Sequence, residues 1–172
     1  MASATDVARL RTETGAGVMD CKRALDESGG DLEKAKALIA ERGLAKASSK
    51  ADREAKEGVV ESYIHAGGRI GALVELSSET DFVARTPEFR DLARSIAMQV
   101  AAMAPHYVSE DELPKELPEE ERGASVTELV LLKQPYIKDA SKTIGDLVTQ
   151  YAAKTGENVR VRRFARFELG AA

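Results

Sequence analysis

The chain holds very little of what most active sites are made from. Cys21 is its only cysteine, so neither an internal disulfide nor a multi-cysteine metal site can form, as suits a reducing compartment. His65 and His106 are the only histidines. Neither has a carboxylate or cysteine at ligand spacing, and both read as ordinary surface or packed residues. The phosphate-cradling patterns GxxxxGK[ST] and GxGxxG are absent, so nothing is built to hold a nucleotide. No run approaches the roughly 18 apolar residues of a membrane span, and the first residues lack the basic-then-apolar pattern of a signal segment. No clustered set of titratable groups suggests a catalytic pocket. The expectation is a cytoplasmic protein off the membrane, with no cofactor, no metal and no catalytic site of its own. A net charge of −4 speaks against nucleic acid as the main partner, since such binders usually carry a basic surplus.

What is present is a well-patterned globular chain. Hydrophobic residues make up 43% and charged residues 31% of 172, enough for one domain, or for a small domain followed by a larger one. Residues 1–46 read as three short helices. Ser3 with Asp6 opens the first, which carries Val7 and Leu10 and stops at Thr14-Gly15. The second follows Gly17, shows Val18, Cys21 and Leu25 on one side, and ends at Gly29-Gly30. Asp31 caps the third, which bears Leu32, Ala35, Leu38 and Ile39 and stops at Gly43. A unit this small buries only a thin core, and such modules usually bind something. Cys21, on the apolar side, is expected to be a buried, inert thiol.

Residues 47–57 form a charged linker with almost nothing to bury. The core spans 58–172. Alternating segments at 59–65 and 70–77 flank Ala66-Gly67-Gly68-Arg69, a β-hairpin signal. A short connector, Ser78 to Arg85, leads to a long helix capped by Thr86 and started by Pro87. Phe89, Leu92, Ala93, Ile96, Ala97, Val100 and Ala101 give that helix a continuous apolar stripe. The connector places the carboxylate of Asp81 beside the ring of Phe82. Spacing alone does not decide whether Phe82 plugs the core beneath or is displayed for a partner. Residues 105–123, with three prolines and seven acidic side chains, form a loop or exposed acidic spur. Leu129 to Leu132 is an apolar run that periodicity does not assign. Thr143 with Asp146 opens another helix, which stops at Gly156. In the last strand Val159, Val161, Ala165 and Phe167 share a face with Arg163, and Arg160, Arg162, Phe164 and Arg166 lie on the other. The fold class is therefore α+β: a helical module, then a small antiparallel sheet packed with helices. The arginines and phenylalanines of the last strand offer a second reading, an RNA-binding module using phosphate contacts and stacking by Arg160, Arg162 and Arg166.

Three blocks resemble one family. Thr14-Gly15-Ala16-Gly17-Val18-Met19-Asp20-Cys21-Lys22-Arg23-Ala24-Leu25 is similar to the N-terminal signature of bacterial translation elongation factor Ts, and Glu79-Thr80-Asp81-Phe82-Val83-Ala84-Arg85 to its central one. Residues 131–139 and 156–158 through 162–168 resemble its C-terminal part. The resemblance implies a guanine nucleotide exchange factor for the GTPase elongation factor Tu. It implies that Asp81 and Phe82, with Val83 and Ala84, intrude near the magnesium site of the GTPase. The UBA-like N-terminal module would dock through Thr14, Gly15, Ala16, Gly17, Val18, Met19 and Lys22. The family's helical insertion between 119–122 and Leu129 is reduced here to a few residues, so functions tied to it should be missing. With one core module where long members have two, the resemblance implies a homodimer through the core.

Overall fold

The computed structural model describes residues 2–171, which divide into two compact units. One runs to Asp52 and takes in Thr149–Glu157; the other comprises Arg53–Val148 and the chain from Asn158 on.

The helical unit holds α1 (Ala4–Thr14), α2 (Val18–Glu27) and α3 (Leu32–Ser48); α1 and α3 start where a side-chain cap takes free amides of the first turn, and α2 starts at Gly17 without one. Ser3 accepts from the Asp6 amide at 3.0 Å, and Asp31 accepts from Glu33 and Lys34 at 3.0 and 3.1 Å. Gly15 ends α1 in the left-handed conformation, φ 70°, with its N–H on the Arg11 carbonyl. Leu10, Cys21, Ala24, Leu25 and Ala35 are fully buried together. The Cys21 thiol lies 3.7 Å from the Ala16 carbonyl in that core. Two details differ from the expectation. Val18 is half-exposed, so the buried face of α2 is Cys21, Ala24 and Leu25. The third helix does not stop at Gly43 but runs to Ser48. A Cβ at Gly43 would lie 3.1 Å from that of Ala153; the glycine serves a close approach inside a helix, at a modest propensity cost, and not a terminus.

In the second unit, β1 (Glu57–Ile64) and β2 (Ile70–Ser78) form the expected hairpin, and β5 (Arg160–Glu168) pairs antiparallel on the other side of β2. Between β2 and the long helix α5 (Pro87–Met103) lies a single turn, α4 (Asp81–Ala84). Ala72, Val74 and Leu76 of β2 are buried, as are Phe89, Ala93, Ile96, Ala97 and Val100 of α5. The pairing of β2 with β5 slips between Glu75 and Leu76: Leu76 lies opposite Val161, but Glu75 opposite Arg163. Arg162 is the extra residue of this bulge, which the alternation of the sequence does not reveal. Beyond it the faces exchange. Phe164 and Arg166 follow Val161 and are half-buried, with the Arg166 Nε donating to the Ala101 carbonyl at 3.0 Å, while Arg163, Ala165 and Phe167 are exposed. The expected face of Val161 with Ala165 and Phe167 is therefore wrong past residue 161.

The region that periodicity leaves open is held by polar bonds and not by an apolar stripe. It contains a one-turn helix α6 (Val126–Leu129), a 3-10 turn at Leu131–Lys133 and a small hairpin of β3 (Pro135–Tyr136) with β4 (Asp139–Thr143). Helix α7 (Ile144–Thr155) follows, with the Thr143–Asp146 capping box in place. Buried Gln99 of α5 donates to the Gln134 side chain and the Pro135 carbonyl, both at 3.1 Å, and accepts from the Ile137 amide at 3.0 Å. Gln134, also buried, donates to the Glu128 carbonyl at 2.8 Å. Gln99→Leu would strand several of these groups without water, and should cost about 2 kcal/mol of stability, read as a lower urea midpoint at unchanged slope.

The acidic loop is not a free spur. His106 and Tyr107 amides donate to the Leu129 carbonyl, and Tyr107 bridges Val130 in parallel, which closes the loop at its base. Glu121 is buried and takes hydrogen bonds from His106 Nδ1 and, at 2.9 Å, from the Tyr107 hydroxyl. These bonds, the His106 one first, hold the Glu121 carboxyl below its ordinary range, and the Glu121 bond raises Tyr107.

Candidate functional site

The connector after β2 is over-determined by short-range bonds. Ser78 Oγ donates to the Thr80 carbonyl at 3.0 Å. Thr80 caps α4 by accepting from the Val83 amide at 3.4 Å, and Thr86 caps α5 by accepting from Phe89 at 3.3 Å. The Thr86 hydroxyl also donates back to the Val83 carbonyl at 2.8 Å. Two caps six residues apart hold one helical turn between them. Within it Ala84 is buried and anchors the turn, Asp81 and Val83 are half-buried, and Phe82 is 83% exposed. Of the two readings of Phe82, the core plug is excluded: Phe89, at 0%, is the aromatic in the core. Asp81 is paired with Arg85 at 3.0 Å, one turn on.

The other set of candidate residues surrounds the α1–α2 junction. The Thr14 hydroxyl donates to the Leu10 carbonyl at 2.7 Å and accepts from the Ala16 amide at 3.3 Å, which shapes the turn with the left-handed Gly15. Gly17 caps α2 without a side chain. Val18 and Met19 then stand 48% and 64% exposed, with Lys22 exposed one turn on. Val18 and Lys22 line an open groove with Val7, Ala8 and Arg11. Asp20 is held by Arg23 and, at 3.5 Å, by Lys46. The Arg23 bond keeps its carboxyl below the usual range, so the junction presents its apolar residues among fixed charges. The two sets of residues belong to different units.

The arginines of β5 are dispersed. Arg163 pairs with Glu75 at 2.6 Å on the exposed face, whereas Arg166 bonds Ala101 and Glu168 on the other. No continuous basic face with stacking rings results. Among the described residues no cluster of three or more His, Cys, Asp or Glu is placed to hold a metal, and no helix is long and apolar enough to cross a membrane. One polar cluster escaped the sequence: Glu79 accepts from the Asn158 amide at 2.6 Å and lies 3.5 Å from Arg53, whose carbonyl accepts from the Asn158 side chain at 2.6 Å. Its members are far apart in the chain, and no spacing signals them.

The structure thus displays an exposed ring on a fixed turn and an apolar ridge at a helix junction. Residues 31–125 match the family described as Elongation factor TS. The chain is 50% identical over 189 residues to a protein named elongation factor Ts from Carboxydothermus hydrogenoformans, covering 95% of this chain and 87% of that one. It is 48% identical over 195 residues to a protein of the same name from Caldanaerobacter subterraneus, covering 99% and 98%. This chain belongs to the elongation factor Ts family. An alignment of 195 positions exceeds its 172 residues, so relatives carry residues that have no counterpart here.

Proposed function

We propose that this protein is a guanine nucleotide exchange factor for elongation factor Tu in translation elongation, acting in the cytoplasm without a chemical step of its own. Its helical unit docks on the GTPase through Thr14 to Met19 and Lys22. Phe82 then enters an apolar slot near the magnesium site, with Asp81, Val83 and Ala84 completing the intruding turn. The observation that carries this reading is the exposure of Phe82 on a turn fixed by two caps. An aromatic ring kept in water gains energy by entering a partner, and a rigid turn loses little entropy in doing so.

GDP and Mg²⁺ are held by aligned donors and ligands, so a small displacement of a supporting helix weakens several contacts together. Coupling between two sites is reciprocal. A factor that weakens GDP is itself weakened by GDP, and fresh nucleotide expels it. At catalytic concentration the protein should accelerate release of fluorescent GDP from elongation factor Tu while hydrolysing none. A release rate independent of its concentration over a wide range would remove the assignment. The active form is a homodimer, formed through the sheet face opposite α5, where Val60, Ile64, Leu73 and Phe167 are exposed.

A further inference from the structure

Glu79 immediately precedes the Thr80 cap, and its side chain points back into the sheet unit and not toward the intruding turn. Its carboxylate receives the backbone N–H of Asn158 at 2.6 Å and faces Arg53 Nη1 at 3.5 Å. The Asn158 amide group completes the triangle by donating to the Arg53 carbonyl at 2.6 Å. Arg53 and Asn158 are the residues at which the chain passes from the helical unit into the sheet unit. Two of the three crossing points are thus fastened to the root of the turn that carries Asp81 and Phe82. Asn158 is buried and the Glu79 side chain is only 21% exposed, so the bond between them is charge-assisted and shielded, the stronger kind.

We infer that Glu79 is a positioning residue for exchange: the Arg53–Glu79–Asn158 cluster holds the Phe82 turn at a fixed height on the sheet unit. This inference rests on the exchange reading and deepens it. The bonds of Thr80 and Thr86 set the internal shape of the turn. Its placement on the sheet draws on the end of β2, on buried Ala84 and on Glu79, the one of these that adds a charged bond to a distant part of the chain. Free energy gained by docking elsewhere on the GTPase can press Phe82 into its slot only if the turn does not yield, and a compliant turn would dock with the ring out of place. The expected signature is a loss of maximal rate without loss of docking affinity.

The test measures two quantities on the full chain. One is the rate of fluorescent GDP release from elongation factor Tu as a function of this protein's concentration. The other is amide hydrogen exchange of the free protein at residues 80–85, with α5 as internal reference. Glu79→Ala should lower the maximal release rate about tenfold, the factor carried by a lost charge-assisted hydrogen bond, with the half-saturating concentration within about twofold of wild type. Amides 80–85 should exchange about tenfold faster, with α5 amides unchanged. Glu79→Gln keeps an oxygen for the Asn158 amide and should recover part of both losses. Adding Phe82→Ala to Glu79→Ala should lower the rate by less than the product of the single effects, since both act through one ring. Wild-type values in Glu79→Ala, or a change shared equally by α5, would overturn the inference. Should Glu79→Ala not fold, Glu79→Gln carries the same two readouts and overturns it by matching wild type in both. If wild-type protein does not accelerate release, the exchange reading fails, and amide exchange still decides whether Glu79 holds the turn.

Discussion

Phe82→Ala should leave the melting temperature of the protein nearly unchanged and reduce nucleotide exchange by roughly 30-fold to several hundred-fold. The asymmetry follows from where the ring is. A core phenylalanine truncated to alanine costs about 3 to 5 kcal/mol of stability, because it leaves a cavity. Phe82 is 83% exposed and leaves none. Its removal also spares the two caps, which use the side chains of Thr80 and Thr86. Buried aromatic anchors of interfaces typically cost about 2 to 4 kcal/mol on truncation, and that loss falls on the exchange step alone. Calorimetry of the variant beside stopped-flow release of fluorescent GDP separates the two effects. A large drop in melting temperature with exchange per folded molecule preserved would sink the assignment of Phe82 as a wedge.

The sequence was most legible where the signal is local. The caps at Ser3, Asp31, Thr86 and Thr143, the Gly67-Gly68 turn and the apolar stripe of α5 all stand where short-range rules place them, because each is decided within a few residues. It was least legible where partners are distant. Arg162 reads as one more step in an alternating strand, and only pairing with β2 makes it a bulge that moves Phe164 inward and Phe167 outward. Gly43 looks like a helix stop until Ala153 is seen against it. Glu121 reads as one of seven acids on an exposed spur, yet it is buried beneath His106 and Tyr107. The segment from Glu128 to Ile137 has no period because Gln99 and Gln134 hold it with polar bonds. The residues of the turn at 80–85 could be named from resemblance, but whether Phe82 lies in the core or in water could not. A single aromatic between two complete apolar faces is compatible with both, and only the 83% exposure of Phe82 decides.

The exposed face of the sheet leads to the other large effect. The face opposite α5 carries Val60 and Ile64 of β1, Leu73 of β2 and Phe167 of β5, of which Ile64 is 65% and Phe167 66% exposed, and Leu169 just beyond β5 is exposed too. Contiguous apolar surface rimmed by polar groups marks an interface. Glu75 and Arg163, paired at 2.6 Å, lie on the same face. Since this pair already balances its charges within one chain, it sets no like charges against a twofold-related copy. A stable interface of this kind should hide roughly 1,200 to 2,000 Å² in total. Cys21 is fully buried in the helical unit, so no disulfide holds the copies together and reductant should change nothing. The wild-type protein is therefore expected to scatter light as twice the 18.5 kDa chain. Phe167→Glu should dissociate it: about 2 kcal/mol lost at each of two symmetry-related rings is about 4 in total, roughly a thousandfold in the dissociation constant. Because Phe167 stands mostly in water within one chain, the monomeric variant should remain folded. Its melting temperature should no longer depend on protein concentration, as that of a dimer does. A wild-type mass of 18.5 kDa at every concentration of a dilution series, with melting equally independent of concentration, would show that this face is left to water.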